Sequence, residues 1–235
     1  MKTSKLILGI LMTAILSFGA CAQNTGADSG IFDIPALEGI SIDGDAGDWQ
    51  NRGFCVEFLT DPEGRSHPAD DFDVKFRLGW DPEGLLVLAS IRDDSIQEHS
   101  RLNSLWRCDC VEISLAADKG SNDNRFSAAF VPGGIPSYPD PRSHIVDWRP
   151  EDKRSTVLTT EKGSRLNEDG YTLEVLLPWS NLGMAPEQGR ILGFQFTAHD
   201  FERDAQDSES LRVALFPEIG PQNPYPMNRI RLSEK

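Results

Sequence analysis

Basic charge is scarce in this chain. Lys and Arg number 23 against 37 Asp and Glu, a formal net charge of −14 over 235 residues. That balance argues against a nucleic-acid binder, which needs a basic face to displace counterions from phosphates. It also disfavours adhesion to anionic lipid through protein charge; a neutral polar ligand stays compatible. Beyond the N-terminal segment, no stretch approaches the ~20 apolar residues of a membrane-spanning helix. Catalytic signatures are missing too: there is no G-x-S-x-G elbow, no H-E-x-x-H and no glycine-rich phosphate loop. His67, His99, His144 and His199 are scattered without i,i+4 pairing. Acids are so abundant that some pair always falls at glycosidase-like separation, so composition nominates no general acid or nucleophile. Cysteine is sparse, with four in all. Cys108-Asp109-Cys110 has one intervening residue, which is not a thioredoxin-type C-x-x-C, and no second Cys or His pair completes a zinc site.

What the N-terminus does have is an export signal. Lys2 and Lys5 form a basic n-region, and residues 6–18 are an almost unbroken apolar stretch of secretory length. Its exit reads two ways. Phe18-Gly19-Ala20-Cys21 resembles a bacterial lipobox, in which Cys21 would be lipidated; Ala20-Cys21-Ala22 equally satisfies the small-x-small rule for ordinary cleavage. Either way the chain is expected to be exported, as an outer-membrane or periplasmic lipoprotein or as a secreted protein. The membrane is then a partner only through a lipid anchor. Removing residues 1–20 takes away two lysines and no acid, so the mature net charge becomes −16. Residues 21–30 are small and polar, a tether between anchor and domain. An oxidising compartment allows a bridge from Cys55 to Cys108 or Cys110, with no bridge as the alternative.

From residue 31 onward the hydrophobic period is mostly two. In residues 73–80, Val74, Phe76, Leu78 and Trp80 share one face, and residues 85–92 follow the turn Asp81-Pro82-Glu83-Gly84 as the second arm of a hairpin. Val111, Ile113 and Leu115 point inward from residues 109–115, leaving Cys110, Glu112 and Ser114 outward. Phe126, Ala128 and Phe130, then Leu173, Val175 and Leu177, then Leu192, Phe194 and Phe196 repeat the pattern. Shorter strands are expected at 54–59, 155–160, 211–215 and 229–232, and residues 178–183 hint at a helical turn. The proline-rich stretch 132–150 reads as a long surface loop. Fifteen Pro and twenty Gly punctuate these runs. The expectation is all-β: a single antiparallel β-sandwich filling residues 31–235. The acidic run 43–48 has the look of a calcium loop but lacks the sixth-position Gly and closing Glu of an EF-hand.

The informative constellation is Trp106-Arg107-Cys108-Asp109-Cys110-Val111-Glu112. Period two would set Trp106 and Glu112 on one side, away from the core. A flat aromatic beside a carboxylate suits a sugar ring: the indole stacks on its C–H face while Glu accepts from neighbouring hydroxyls. The plainer alternative is a Trp folded over the sheet edge beside a solvated Glu.

Several segments, in order, resemble family 9 carbohydrate-binding modules. They are Ile42-Asp43-Gly44-Asp45 with Asp48-Trp49, Phe76 to Asp81 running to Leu86-Val87, Ile91-Arg92-Asp93-Asp94, Trp106 to Glu112, Gly170 to Glu174 running to Pro178-Trp179, and Gly193-Phe194-Gln195-Phe196 with Asp200. The resemblance implies a jelly-roll-like sandwich related to the DOMON-like group. It also implies a non-catalytic module that captures a saccharide, at a chain end, for polysaccharide breakdown. Trp106 and Glu112 match the family's first sandwiching Trp and the Glu six residues on. Asp93 and Asp94 match a stretch where such modules place structural calcium, and no organic cofactor is implied. This chain departs from the pattern in having no Trp after Trp179, so Tyr225 stands in for the second aromatic wall, with Phe216 next. Arg125, outward on the following strand, adds a hydrogen-bond donor. Two other classes stay open: a DOMON-like haem or redox module, needing Met184 or Met227 with His199 as axial ligands, and an accessory protein linked to glycosidic-bond hydrolysis through its family.

Overall fold

Alternation of apolar and polar residues becomes two hydrogen-bonded sheets. The computed structural model describes residues 30–234 apart from 62, 67, 99–100, 118–123, 155–156, 204–207 and 216–226. In chain order the strands are β1 (Ile31–Pro35), β2 (Phe54–Val56), β3 (Phe72–Trp80), β4 (Gly84–Asp93), β5 (Cys110–Ala116) and β6 (Arg125–Val131). They continue with β7 (Arg142–Asp147), β8 (Glu161–Asn167), β9 (Gly170–Pro178), β10 (Ile191–Arg203), β11 (Ser208–Ala214) and β12 (Asn228–Ser233). One sheet runs β1-β12-β10-β5-β6-β7, with β11 also on β10; the other runs β2-β3-β4-β9-β8. Among the described strands the pairings are antiparallel except β1 with β12, which run parallel. Among the described residues the helical content is short 3-10 turns, including the one expected near Pro178, at Trp179–Leu182.

The core lies between the sheets. Val74, Phe76 and Leu78 face Phe194 and Phe196, with the Phe76 and Phe196 rings stacked at 4.2 Å between centroids. Each such side chain contributes about 1.5–3 kcal/mol by leaving water. Two expectations need correction. The stretch 132–150 is not all loop, because it contains β7, an edge strand of half-exposed residues whose prolines flank it rather than interrupt it. The strand expected at 155–160 lies further on, as β8, a polar edge strand with no apolar alternation to mark it.

Half of the outer face of the five-stranded sheet is covered. Leu86, Leu88 and Leu176 point outward there and are buried beneath Leu37, Trp49, Ile40 and Ile42. Glu174, fully buried on the same face, holds this cover in place. Its Oε2 accepts from the backbone N–H of Asp43 at 3.0 Å and Gly44 at 2.7 Å, and its Oε1 from the Trp49 indole at 2.6 Å. Gly44 sits at φ +84, and a Cβ there would come within 2.5 Å of the Ser164 backbone, so the turn requires glycine. The acidic run 43–48 is thus a structural clip.

The cysteines also correct an expectation. Cys108 and Cys110 are buried as thiols, and neither is bridged to Cys55. Cys55 is on the edge strand β2, whereas Cys110 begins β5 in the interior of the other sheet. Cys108 and Cys110 pack with Leu105 and Val131 instead. Cys21 lies outside the described residues.

Candidate functional site

The seven-stranded sheet leaves its outer face polar. Because Val111, Ile113 and Leu115 enter the core, Glu112 and Ser114 face outward from β5. Register aligns the neighbours: Glu112 is opposite Thr197 on β10 and Ala129 on β6, Ser114 is opposite Ser127, and Ala116 is opposite Arg125. His199, one outward position beyond Thr197, brings its Nε2 to 3.7 Å from Glu112 Oε2, and Arg212 on β11 pairs with His199 across the strands. Interaction with His199 holds the Glu112 carboxyl below its ordinary 4.5, and Arg212 and Arg125 add to that pull against the upward push of burial. The Glu112 side chain is 37% exposed and His199 10%. An ionised acceptor ringed by cations and open to water can take hydrogen bonds from a neutral polyol; an acid held this low does not serve as a proton donor near neutral pH.

The residues nominated from sequence scatter around this face unevenly. Arg125 is on β6 as expected, buried and on the Glu112 side. Trp106 is not on a strand. It lies in the 3-10 turn Leu102–Arg107, so strand alternation does not relate it to Glu112, and β5 begins only at Cys110. That turn packs against β5, β6, β7 and β10, at the Cys110 end of the face, but the Trp106 side chain lies outside the described set. Tyr225 and Phe216 also lie outside the described residues. The haem ligands are not gathered by the fold: Met184 packs on the main core, and Met227 lies over Gly193, roughly 20 Å along β10 from His199.

A second cluster forms where the sheets meet at one end. Asp93 closes β4, Asp109 precedes β5 and Asp200 lies in β10; all three are buried, with carboxylate oxygens within 4.8 Å of one another. Asp94 is exposed and is not part of the cluster. Asp109 accepts from the Phe201 N–H at 2.6 Å and from the Gln97 N–H. Asp93 Oδ1 accepts from Ser95 N–H at 2.8 Å, whereas its Oδ2 is buried without a hydrogen-bond partner. Burial, aided by repulsion from Asp93, pushes Asp109 up to about 8. Burial likewise raises Asp93. Converging hard oxygens with an orphaned lone pair fit a calcium ion. Asp109 and Asp200 carry no spacing signal linking them to Asp93, since only the closed sandwich joins the three.

A model of the carbohydrate family 9 binding domain-like group matches residues 42–235. The chain belongs to that family. Solved structures agree on the fold of this family 9 domain. A family 9 module from Caldicellulosiruptor kristjanssonii in complex with cellotriose superposes with TM-score 0.57 at 20% identity, over 87% of this chain and 94% of that one. Its complex with glucose gives TM-score 0.59 at 21% identity, covering 87% and 96%. A Bacteroides uniformis protein proposed to bind carbohydrate gives 0.56 at 13%, covering 86% and 97%. No curated protein matches this chain in sequence.

Proposed function

We propose that this family 9 domain is an exported, non-catalytic module that binds the end of a saccharide on the outer face of its seven-stranded sheet. The observation that carries the reading is Glu112: an ionised, half-exposed carboxylate among His199, Arg125 and Arg212 on an otherwise folded-in β-sheet. Trp106 supplies the stacking platform beside it, Arg125 a further donor, and Tyr225 the opposite wall. Stacking provides most of the affinity and Glu112 most of the selectivity, because an acceptor deprived of its hydroxyl partners is costly. Affinity falls on the order of micromolar to millimolar, as expected for a small polar ligand with few contacts. Asp93, Asp109 and Asp200 hold a structural calcium that ties the two sheets together. Export follows the N-terminal signal, with Cys21 the lipid attachment if the lipobox is used.

The relatives bound to cellotriose and glucose recommend the first ligands. Calorimetric screening against glucose, xylose and cello- and xylo-oligosaccharides is expected to give saturable binding that Trp106→Ala abolishes. A saccharide bound equally well by wild type and Trp106→Ala would place the site elsewhere.

A further inference from the structure

The Glu112 end of the face does not account for Trp148. This residue follows β7, is 39% exposed, and was hidden in what the sequence presents as a proline-rich loop. We propose that Trp148 is a second aromatic platform, an outer subsite for a further ring of an oligosaccharide whose first ring lies at Glu112. The inference rests on the saccharide-binding reading of this face and extends it.

Two sets of bonds fix the indole in place. Its Nε1 donates to Ser127 Oγ at 3.0 Å, and Ser127 Oγ in turn shares a 2.6 Å bond with Ser114 Oγ, so the ring is anchored to the same outer face as Glu112. The backbone around it is clamped as well. Arg149 forks onto Asp147, with Nε to Oδ1 at 2.8 Å and Nη2 to Oδ2 at 2.6 Å, and the Trp148 N–H donates to Arg125 O at 3.1 Å. A bidentate pair spanning the residues on either side restricts the backbone that aims the ring. Such preorganisation lowers the entropy cost of stacking a ligand. The Arg125 guanidinium lies over the ring, 5.9 Å from its centroid, a cation–π contact that further fixes the indole.

Register sets the spacing. The Trp148 backbone adjoins Arg125, Arg125 is opposite Ala116, and Ala116 is four residues beyond Glu112 on β5. From the usual rise and strand spacing the Trp148 and Glu112 Cα positions are then roughly 16 Å apart. The indole leans back from there toward Glu112, because its Nε1 reaches Ser127 and, through it, Ser114, two residues from Glu112. A sugar ring stacked on the indole is therefore beside, and not on top of, a ring held at Glu112, a spacing that suits a short oligosaccharide.

The test titrates wild type, Trp148→Ala, Trp148→Phe and Glu112→Gln with glucose and cellotriose, and with xylose and xylotriose, by calorimetry. Trp148→Ala is expected to lose about ten-fold in affinity for the trisaccharide that binds and nothing for its monosaccharide, and Trp148→Phe to retain most of the difference. Glu112→Gln weakens both ligand lengths. An unchanged melting temperature shows that each variant is folded. Trisaccharide affinity unaffected by Trp148→Ala, or mono- and trisaccharide losses of equal size, overturns the subsite while leaving the module reading intact. A wild-type protein that binds none of the four sugars overturns both.

Discussion

The two outer faces of the sandwich start from the same pleat and end differently. On the five-stranded sheet the outward residues of one half are Leu86, Leu88 and Leu176, and a covering segment buries them, latched by Glu174, while Lys75, Ser90 and Arg92 in the other half are exposed. On the seven-stranded sheet the outward residues are Glu112, Ser114, Ser127, Thr197 and His199, and Glu112 is left open to water. Each face has one acid at its centre. Glu174 has its lone pairs taken by two backbone N–H groups and an indole, whereas Glu112 faces cations without a comparable cage. A buried carboxylate whose two oxygens are both held by buried donors is a fastener; one kept ionised with acceptor capacity to spare can take a ligand.

The sharpest way to break this comparison is to exchange consequences. Glu174→Ala leaves the Trp49 indole and two backbone donors unpaired in the interior and is expected to cost about 3 kcal/mol or more of stability. Chemical denaturation would read that loss, and sugar affinity of the folded fraction should stay as in wild type. A Glu174→Ala protein as stable as wild type would show that the latch does not hold the cover.

Next in size is the aspartate cluster, which lies between the two extremes: buried like Glu174 but incompletely satisfied, as Asp93 Oδ2 shows. Calcium at about one hundred times its dissociation constant should stabilise the fold by about 2.7 kcal/mol. Thermal melts in calcium against chelator measure it. Asp93→Asn should remove the calcium increment while sparing metal-free stability, because its Oδ1 keeps the Ser95 bond, its Oδ2 has none to lose, and the change relieves repulsion with Asp109. Identical melts with and without calcium would count against a bound ion.

The smallest effect concerns pH. The folded-state pKa of Glu112 is depressed below 4.5, so the ionised form that accepts hydroxyl hydrogen bonds persists above that value and is lost only as pH falls through the lowered pKa. Saccharide affinity should therefore be flat from about pH 7 to pH 5 and decline only below the ordinary carboxylate range. A decline already near neutrality would mean that Glu112 is not the acceptor.

The fold was legible because strands buried on one face alternate, and β3, β5, β6, β9 and β10 all do. Edge strands β7 and β8 were not, since half-exposed residues need no alternation and prolines bordering β7 imitate a loop. At the site, Glu112 and Arg125 could be placed outward from period alone. His199 was visible as an outward residue of its strand, but its partnership with Glu112 depends on the pairing of β5 with β10, which spacing does not encode. The same limit hid the joining of Asp93 to Asp109 and Asp200 and misplaced Trp106, whose 3-10 turn breaks the period six residues before Glu112.

The central claim is that the open face binds saccharide through Glu112. Isothermal titration of wild type and Glu112→Gln with cellotriose and xylotriose, at neutral pH and in calcium, tests it most directly. The account predicts saturable binding by wild type to at least one of them and a loss of about ten-fold or more in the variant, with an unchanged melting temperature. Equal affinity in the two proteins, or no binding by wild type, would contradict it.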